Sequence, residues 1–398
     1  MNRLLTITIP AYNSEKYLAR CLNSLLSCEA CRETELLVID DGSTDGTGRI
    51  ADAYARRYPE IVRVIHKENG GHGSGINAGI AAAQGKYFRV VDSDDAVDPA
   101  AYREYLRRLK DIASDLIATP FVCVTEERSR AAKKLVEKSA GVAEGGRRFK
   151  KSRLQYMNRE ENGSEPKERK SGRKAVWRSL KRNSGKQKCC EIAYMREIEG
   201  AAGLPRGEAF LFEAAARRLH VRMHEMTIRT SILKEHSIRM SEHSFYVDMQ
   251  YISFPIPWIR TCCILDLPVY RYRLGSEGQS VSAGNMQKNR GQHQEVLRSL
   301  VRFYKERERA GDSGARLAYL ARSIAKMQAN QVQTILSLPV GRAAKRELCQ
   351  AERWLRRECP AAYAANEKKS LRVLRGSGYA LYPVAAAVWR IMKCGRVR

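Results

Sequence analysis

Leu36-Leu37-Val38-Ile39-Asp40-Asp41-Gly42-Ser43 and Tyr87-Phe88-Arg89-Val90-Val91-Asp92-Ser93-Asp94-Asp95 decide the fold. In each stretch a short, largely apolar run ends at an aspartate-bearing turn, the pattern of a buried parallel strand with carboxylates at its exit. Ligands of open α/β sheets bind in the crevice outside the carboxyl ends of the strands. Two such turns therefore predict an acidic site suited to a divalent metal and a phosphorylated ligand.

Outward from these runs the pattern repeats. Leu4 to Ile9 reads as a strand stopped by Pro10, and Asn13 or Ser14 is placed to cap a helix carrying Tyr17, Leu18, Cys21, Leu22 and Leu25. Asp45 can cap the next helix, Val62 to Ile65 is a further strand, and Gly70-Gly71-His72-Gly73-Ser74-Gly75 marks a loop before a helix over Ile76 to Ala83. Asp98 and Pro99 form a cap followed by proline at the first helical position. Strands alternating with helices predict an α/β, doubly wound, mostly parallel sheet flanked by helices. Apolar content returns at Glu208 to Leu219, ordered structure is expected through Met226 to Leu233 and Phe245 to Ile259, and amphipathic helices are expected over Val296 to Tyr304 and Leu317 to Ile335. The expected division is 1–125 for the ligand-binding half, 126–205 for a basic insertion or disordered segment, 206–285 for the rest of the sheet domain and 286–398 for a mainly helical C-terminal region.

The 398 residues, 43% of them hydrophobic, suffice for a substantial core. The formal charge of +27 is unevenly spread: Arg128 to Lys188 holds roughly twenty Lys or Arg against about six Glu, with little apolar clustering. That segment reads as an acceptor-binding insertion, a disordered anion-binding arm, or a stretch read out of frame. Among eleven cysteines, Cys28 and Cys31 lack a second zinc-type pair, so reduced thiols and a cytoplasmic location are expected. The first ten residues read as a strand, not a signal peptide, and no run approaches the length of a membrane span. The apolar tail Tyr379 to Met392, interrupted by Pro383 and flanked by Arg375, Lys393, Arg396 and Arg398, reads as a core-covering or dimer-forming helix, or as a peripheral attachment at the inner face of the cell membrane.

Thr8-Ile9-Pro10-Ala11-Tyr12-Asn13, Val38-Ile39-Asp40-Asp41-Gly42-Ser43-Thr44-Asp45 and Val90-Val91-Asp92-Ser93-Asp94-Asp95, in that order and spacing, closely resemble the family 2 glycosyltransferases of GT-A fold. Asn69-Gly70-Gly71, Asn77-Ala78-Gly79 and Gly85-Lys86-Tyr87 resemble that family's connecting segments, and the resemblance runs from about residue 4 to 120 and resumes near Met223. It implies an inverting transfer from a nucleoside-diphosphate sugar, a UDP-sugar favoured, to a hydroxyl of a glycan or lipid-linked acceptor in surface polysaccharide synthesis. It implies a divalent cofactor, Mn²⁺ or Mg²⁺, on Asp94, with Asp92 sharing the metal or contacting the ribose, and Asp95 capping the following turn. Pro10, Ala11 and Tyr12 would line the base pocket, where a tyrosine ring can stack on a nucleobase. Of Asp40 and Asp41, one would accept from the base and the other hold the turn, and Asn69 joins the donor set.

A general base must lie near the acceptor hydroxyl. Glu242-His243-Ser244-Phe245-Tyr246-Val247-Asp248 resembles the segment where the family places it, and Asp248 takes that position. The family more often has Glu-Asp where this chain has Val247-Asp248, so Glu242 as base and a cap role for Asp248 stay open. His243 and His224 read as ordinary polar contacts or as acceptor contacts. In Tyr270-Arg271-Tyr272-Arg273, Arg271 and Arg273 read either as forked partners of the diphosphate or as a surface strand. Many relatives carry arginine where this chain has Ile76 before Asn77. Competing readings are a catalytically silent relative that retains nucleotide binding and a nucleic-acid-binding module. The latter explains the basic segment alone, so no nucleic-acid partner is expected.

Overall fold

The computed structural model describes residues 3–126, 177–181, 189–274, 283–366 and 368–394. Most of the basic segment, 127–176 and 182–188, lies outside them, as does Ser280-Val281-Ser282, which from sequence resembles, with Tyr270 to Arg273, a segment following the acceptor region in many relatives. The first half runs β1 (Leu5–Ala11), α1 (Leu18–Leu25), β2 (Thr34–Asp40), α2 (Thr47–Arg57), β3 (Val62–His66), α3 (His72–Ala82), β4 (Tyr87–Val90), β5 (Ala96–Val97), α4 (Pro99–Leu109), β6 (Leu116–Ala118) and β7 (Phe121–Glu126). Next come β8 (Trp177–Lys181), β9 (Cys189–Arg196), β10 (Ala209–Leu211), α5 (Phe212–Ala216), β11 (Met226–Arg229), α6 (Thr230–Glu235), α7 (Asp248–Ser253), β12 (Thr261–Ile264) and β13 (Tyr270–Arg273). The helical end comprises α8 (Ala283–Lys288), α9 (Arg290–Arg309), α10 (Gly314–Ser337), α11 (Arg342–Glu358), α12 (Pro360–Ala364), α13 (Lys369–Gly376) and α14 (Tyr382–Cys394).

An eight-stranded sheet has the order β10-β12-β6-β11-β4-β1-β2-β3. The block β4-β1-β2-β3 is parallel, as the buried aspartate-terminated runs predict, while β11 enters antiparallel between β4 and β6. A second sheet, β5-β13-β7-β9-β8, stands beyond the exit of β4. Cys189–Arg196, read from sequence as part of the basic insertion, pairs along β7 as β9, and Tyr194, Ile198 and Ala201 are buried. Its apolar residues are interspersed with Glu and Arg, so no local period announces it.

Helix α3 lies directly on β1. A Cβ on Gly75 would come within 2.9 Å of the Pro10 side chain, and one on Gly79 within 2.1 Å of the Thr8 hydroxyl, so the backbones approach at a distance only glycine permits. This corrects the expected loop over Gly70 to Gly75. The helix already starts at His72, because Gly73 and Gly75 serve close packing and only Gly71, at φ 80°, serves the turn. Neither Asn13 nor Ser14 caps α1 with its side chain: the Ser14 carbonyl accepts from the Tyr17 and Leu18 N–H groups, and its hydroxyl meets that of Ser93 at 2.7 Å. Asp98 does cap α4, accepting from the Ala101 N–H at 3.0 Å.

Two apolar clusters cover the main sheet. One packs Leu18 and Leu22 of α1 and Tyr102 and Leu106 of α4 on Leu36 and Val38. The other joins Ile76 of α3, Phe88 of β4 and Ile228 of β11 to Leu297, Leu300, Tyr319 and Ile324 of α9 and α10. Cys21, Cys28 and Cys31 are buried free thiols. Among the described residues no helix is long and apolar enough to cross a membrane.

Candidate active site

β4 sits at the centre of the main sheet, so the turn it feeds opens where both sheets meet. There the Tyr270 hydroxyl of β13 accepts from the Asp92 N–H (3.1 Å) and donates to Asp95 Oδ2 (2.6 Å), while the Arg273 N–H donates to Asp95 Oδ1 (2.6 Å). Asp95, 2% exposed, thus ties the turn to the second sheet. Both carboxylate oxygens are engaged by β13 and not by the turn that follows, which was the role expected for Asp95, and its N–H donates to the Asp92 carbonyl within the 92–95 turn itself. Burial, followed by the charges of Asp92 and Asp94, raises the Asp95 carboxyl well above the ordinary range. Burial and Asp92 likewise raise Asp94.

Asp92 differs from its neighbours. Its Oδ1 meets Nε2 of His72, the first residue of α3, at 2.9 Å, and its Oδ2 lies 3.8 Å from Nε2 of His224. Burial opposes ionisation, yet the two imidazoles prevail and hold this carboxyl well below the usual range. The His72 imidazole is raised in turn: burial opposes protonation, but Asp92 foremost, then Asp248 and Asp94, favour it. His224 is packed among Phe121, Tyr270 and Tyr272, with ring centroids 5.3, 4.8 and 4.5 Å away. Its carbonyl accepts from buried Arg89 at 2.6 Å. Oxygens of Asp92 and Asp95 and a His224 nitrogen lie within 4.8 Å of one another. That donor set, two carboxylates and one imidazole, fits a divalent first-row cation; Mn²⁺ accepts the nitrogen more readily than Mg²⁺. Asp94 shares the turn but is not in this group of three; the sequence reads His72 only as part of the glycine-rich loop, and His224 as a polar or acceptor contact, not as a partner of Asp92.

Asp248 opens α7, and the backbone N–H of Met249 in the helix's first turn favours its ionised form. Burial raises its carboxyl, His224 and His72 counteract this, and Asp92 adds to it. Asp248 and Asp92 therefore sense the same two imidazoles from separate elements. Glu242 is engaged elsewhere, accepting from Asn77 at 3.0 Å and pairing with Arg239.

The donor-side residues gather at the ends of β1 and β2. Pro10 and Ala11 are buried, whereas Tyr12 is 53% exposed and available for stacking. Asn13, at φ 48°, accepts from the Thr44 N–H at 2.9 Å, holding the two strand exits side by side. Asp40 meets the His66 Nδ1 at 2.8 Å and accepts from the Ser43 N–H at 3.1 Å. Asp41 accepts from Lys67 (2.8 Å) and from the N–H groups of Gly70 (3.0 Å) and Gly71 (2.7 Å), while the Asn69 amide donates to the Asp41 carbonyl (2.9 Å). The Gly70 carbonyl then accepts from the His243 N–H at 2.5 Å. The Asp41 turn is thus linked through one loop to the segment bearing Asp248. Arg271 pairs with Asp98 at 3.5 Å, and the Arg273 guanidinium lies 4.6 Å from the centre of the Tyr17 ring. A cavity of about 780 Å³ lies instead on the outer side of α3, lined by Lys67, Asn77, Lys234, Arg239 and Glu242.

Residues 6–176 match the model of Glycosyl transferase family 2. The N-terminal part of this chain is thus similar to family 2 glycosyltransferase domains. GlyG, a glycosyltransferase of Streptococcus pneumoniae serotype 4, is 36% identical to the domain over 118 residues, 29% of this chain and 38% of GlyG. EpsJ of Bacillus subtilis, an uncharacterized glycosyltransferase, is 36% identical over 125 residues, 31% of this chain and 36% of EpsJ. A chondroitin synthase of Escherichia coli is 41% identical over 98 residues, 25% of this chain and 14% of the synthase. The chain thus spans less than two fifths of the length of these relatives. Among solved structures, residues 1–349 of S. aureus TarS in complex with UDP-GlcNAc superpose with a TM-score of 0.55 over 97% of this chain and 91% of that one. At 16% identity this likeness shows the fold, which is GT-A.

Proposed function

We propose that the protein is an inverting, metal-dependent glycosyltransferase that moves a sugar from a nucleoside diphosphate, UDP favoured, to a hydroxyl of a glycan or lipid-linked acceptor in surface polysaccharide synthesis. The observation that carries this reading is the pairing of Asp92, held ionised by His72 and His224, with Asp248, held protonatable beside the same imidazoles. Asp92, Asp95 and His224, with Asp94 in the same turn, would hold a divalent cation, which when bound would supply charge neutralisation for a departing diphosphate without proton transfer. Tyr12 stacks on the base, Pro10 and Ala11 floor its pocket, and the Asp40, Asp41 and Asn69 turns shape its edge. Arg273 stands on the diphosphate side; Arg271, paired with Asp98, orients the strand beside it. Asp248 accepts the proton of the acceptor hydroxyl as its oxygen attacks the anomeric carbon from the face opposite the diphosphate, so the bond to the diphosphate oxygen breaks while the new glycosidic bond forms. A carboxyl raised above the usual range is the stronger base for this step. The polysaccharide setting is supported by the chondroitin synthase likeness.

The test is Asp248→Asn. It is expected to bind the donor as the wild type does and to lose transfer by about 10²–10⁴-fold, read by screening a nucleotide-sugar panel for hydrolysis and transfer. Retained transfer would remove the base from Asp248.

A further inference from the structure

Helix α14 is apolar on both sides. Its inner side, Tyr382 and Ala386, is buried in the cluster that holds Leu348 of α11 and Leu371 and Leu374 of α13. Its outer side is a stripe of Leu381, Val384, Val388 and Ile391, spaced three or four residues apart and 42%, 58%, 49% and 72% exposed. Val373, on the outward side of α13, is 60% exposed. An all-round apolar helix is stable where both faces are covered, and none of the described residues covers the exposed face here.

Charge distinguishes among the covers. From Lys368 to Arg398 the sequence carries eight Lys or Arg and no Asp or Glu. Lys369 and Arg372 are exposed on the outward side of α13, while the Arg390 guanidinium turns back to the Leu338 carbonyl and leaves the α14 stripe unbroken. A second copy would set the same cations against these, on a chain whose formal charge is already +27. A surface of anionic headgroups over acyl chains matches both the cations and the stripe. With 13 residues, α14 is too short to cross a bilayer and long enough to lie in its interface.

We propose that α13 and α14 form a docking face for an anionic lipid surface, with Leu381, Val384, Val388 and Ile391 entering the headgroup–acyl boundary and Lys369 and Arg372 meeting lipid phosphates. The inference goes beyond the transferase reading and uses none of its site residues.

The experiment is co-sedimentation of the full chain with vesicles of phosphatidylcholine alone and of phosphatidylcholine with phosphatidylglycerol, at low and high salt, with UDP binding measured on the same samples. The wild type is expected to bind the anionic vesicles, more weakly at high salt. The double variant Val388→Asp, Ile391→Asp is expected to lose binding by about tenfold or more, with unchanged thermal stability because both side chains are exposed. Lys369→Glu with Arg372→Glu is expected to lose the anionic preference. Equal sedimentation of wild type and Val388→Asp, Ile391→Asp, or none by the wild type, overturns the proposal. So does a concentration-dependent dimer that the same double variant dissociates, which would assign the face to a second copy. Vesicle binding lost with UDP binding intact separates this failure from failure of the transferase reading.

Discussion

On the Asp41 carboxylate three donors converge, the Lys67 ammonium and the N–H groups of Gly70 and Gly71, so both oxygens are engaged by the protein itself. Of the two roles that residue type left open for Asp41, the contacts favour holding the loop. A related economy operates at His293 of α9, packed against Tyr246 at 4.8 Å between ring centroids. Burial depresses its imidazole to about 4 from an ordinary 6.5. As pH falls the unfolded chain takes up this proton first, so the stability is full above about 6.5 and is lost as pH falls from there through about 4. His293→Gln is expected to remove that component, about 1–2 kcal/mol at pH 5. Thermal denaturation of both proteins at pH 5 and pH 7.5 measures it; an unchanged difference between the two pH values would contradict the assignment. Residue by residue, Asp40, Asp41, Asp92, Asp94 and Asp95 were legible because a strand exit is a local pattern, and Asp248 because its segment resembles the family's. The contacts of His72, His224 and Tyr270 with Asp92 were not, since the partners lie across the fold: Asp92 is 20 residues from His72 and 178 from Tyr270.

Among the elements, α3 does most to assemble the site. Its inner face rests on β1 through Gly75 and Gly79, and its first turn carries both His72 and the platform for the 241–244 segment. A Cβ on Gly73 would stand 2.1 Å from the Ser241 carbonyl oxygen, whereas on Gly79 it would stand 2.1 Å from the Thr8 hydroxyl and 2.7 Å from its Cβ. The two glycines should therefore fail differently. Gly79→Ala, which pushes the helix off the sheet, is expected to cost about 1–3 kcal/mol of stability, read by urea denaturation. Gly73→Ala displaces the segment leading to Asp248 and is expected to lower transfer by at least about tenfold, a 1.4 kcal/mol effect, while UDP binding persists; equal loss of both would contradict this division. The strands were legible from their apolar runs. The start of α3 was not, because a glycine needed for contact and a glycine needed for a turn are the same letter.

At the scale of the whole molecule, the described residues form two sheets joined at one acidic turn, with a helical end that shares its apolar cluster with the sheet's own face. The parallel block and the helical end follow from the order of periodic segments. The antiparallel entry of β11 and the second sheet do not, because they depend on long-range pairings such as Tyr270 with Phe121 and Val97 that no local period encodes. That second sheet closes the site, since β13 supplies both groups that hold Asp95. The central claim is that this junction gathers carboxylates around a cation that neutralises a pyrophosphate. It is tested most directly by calorimetry of UDP binding with and without Mn²⁺, on the wild type and on Asp92→Asn. The wild type is expected to bind UDP with a heat that depends on Mn²⁺, and Asp92→Asn to lose that dependence while keeping its fold. Equal, Mn²⁺-dependent binding by both proteins would contradict it.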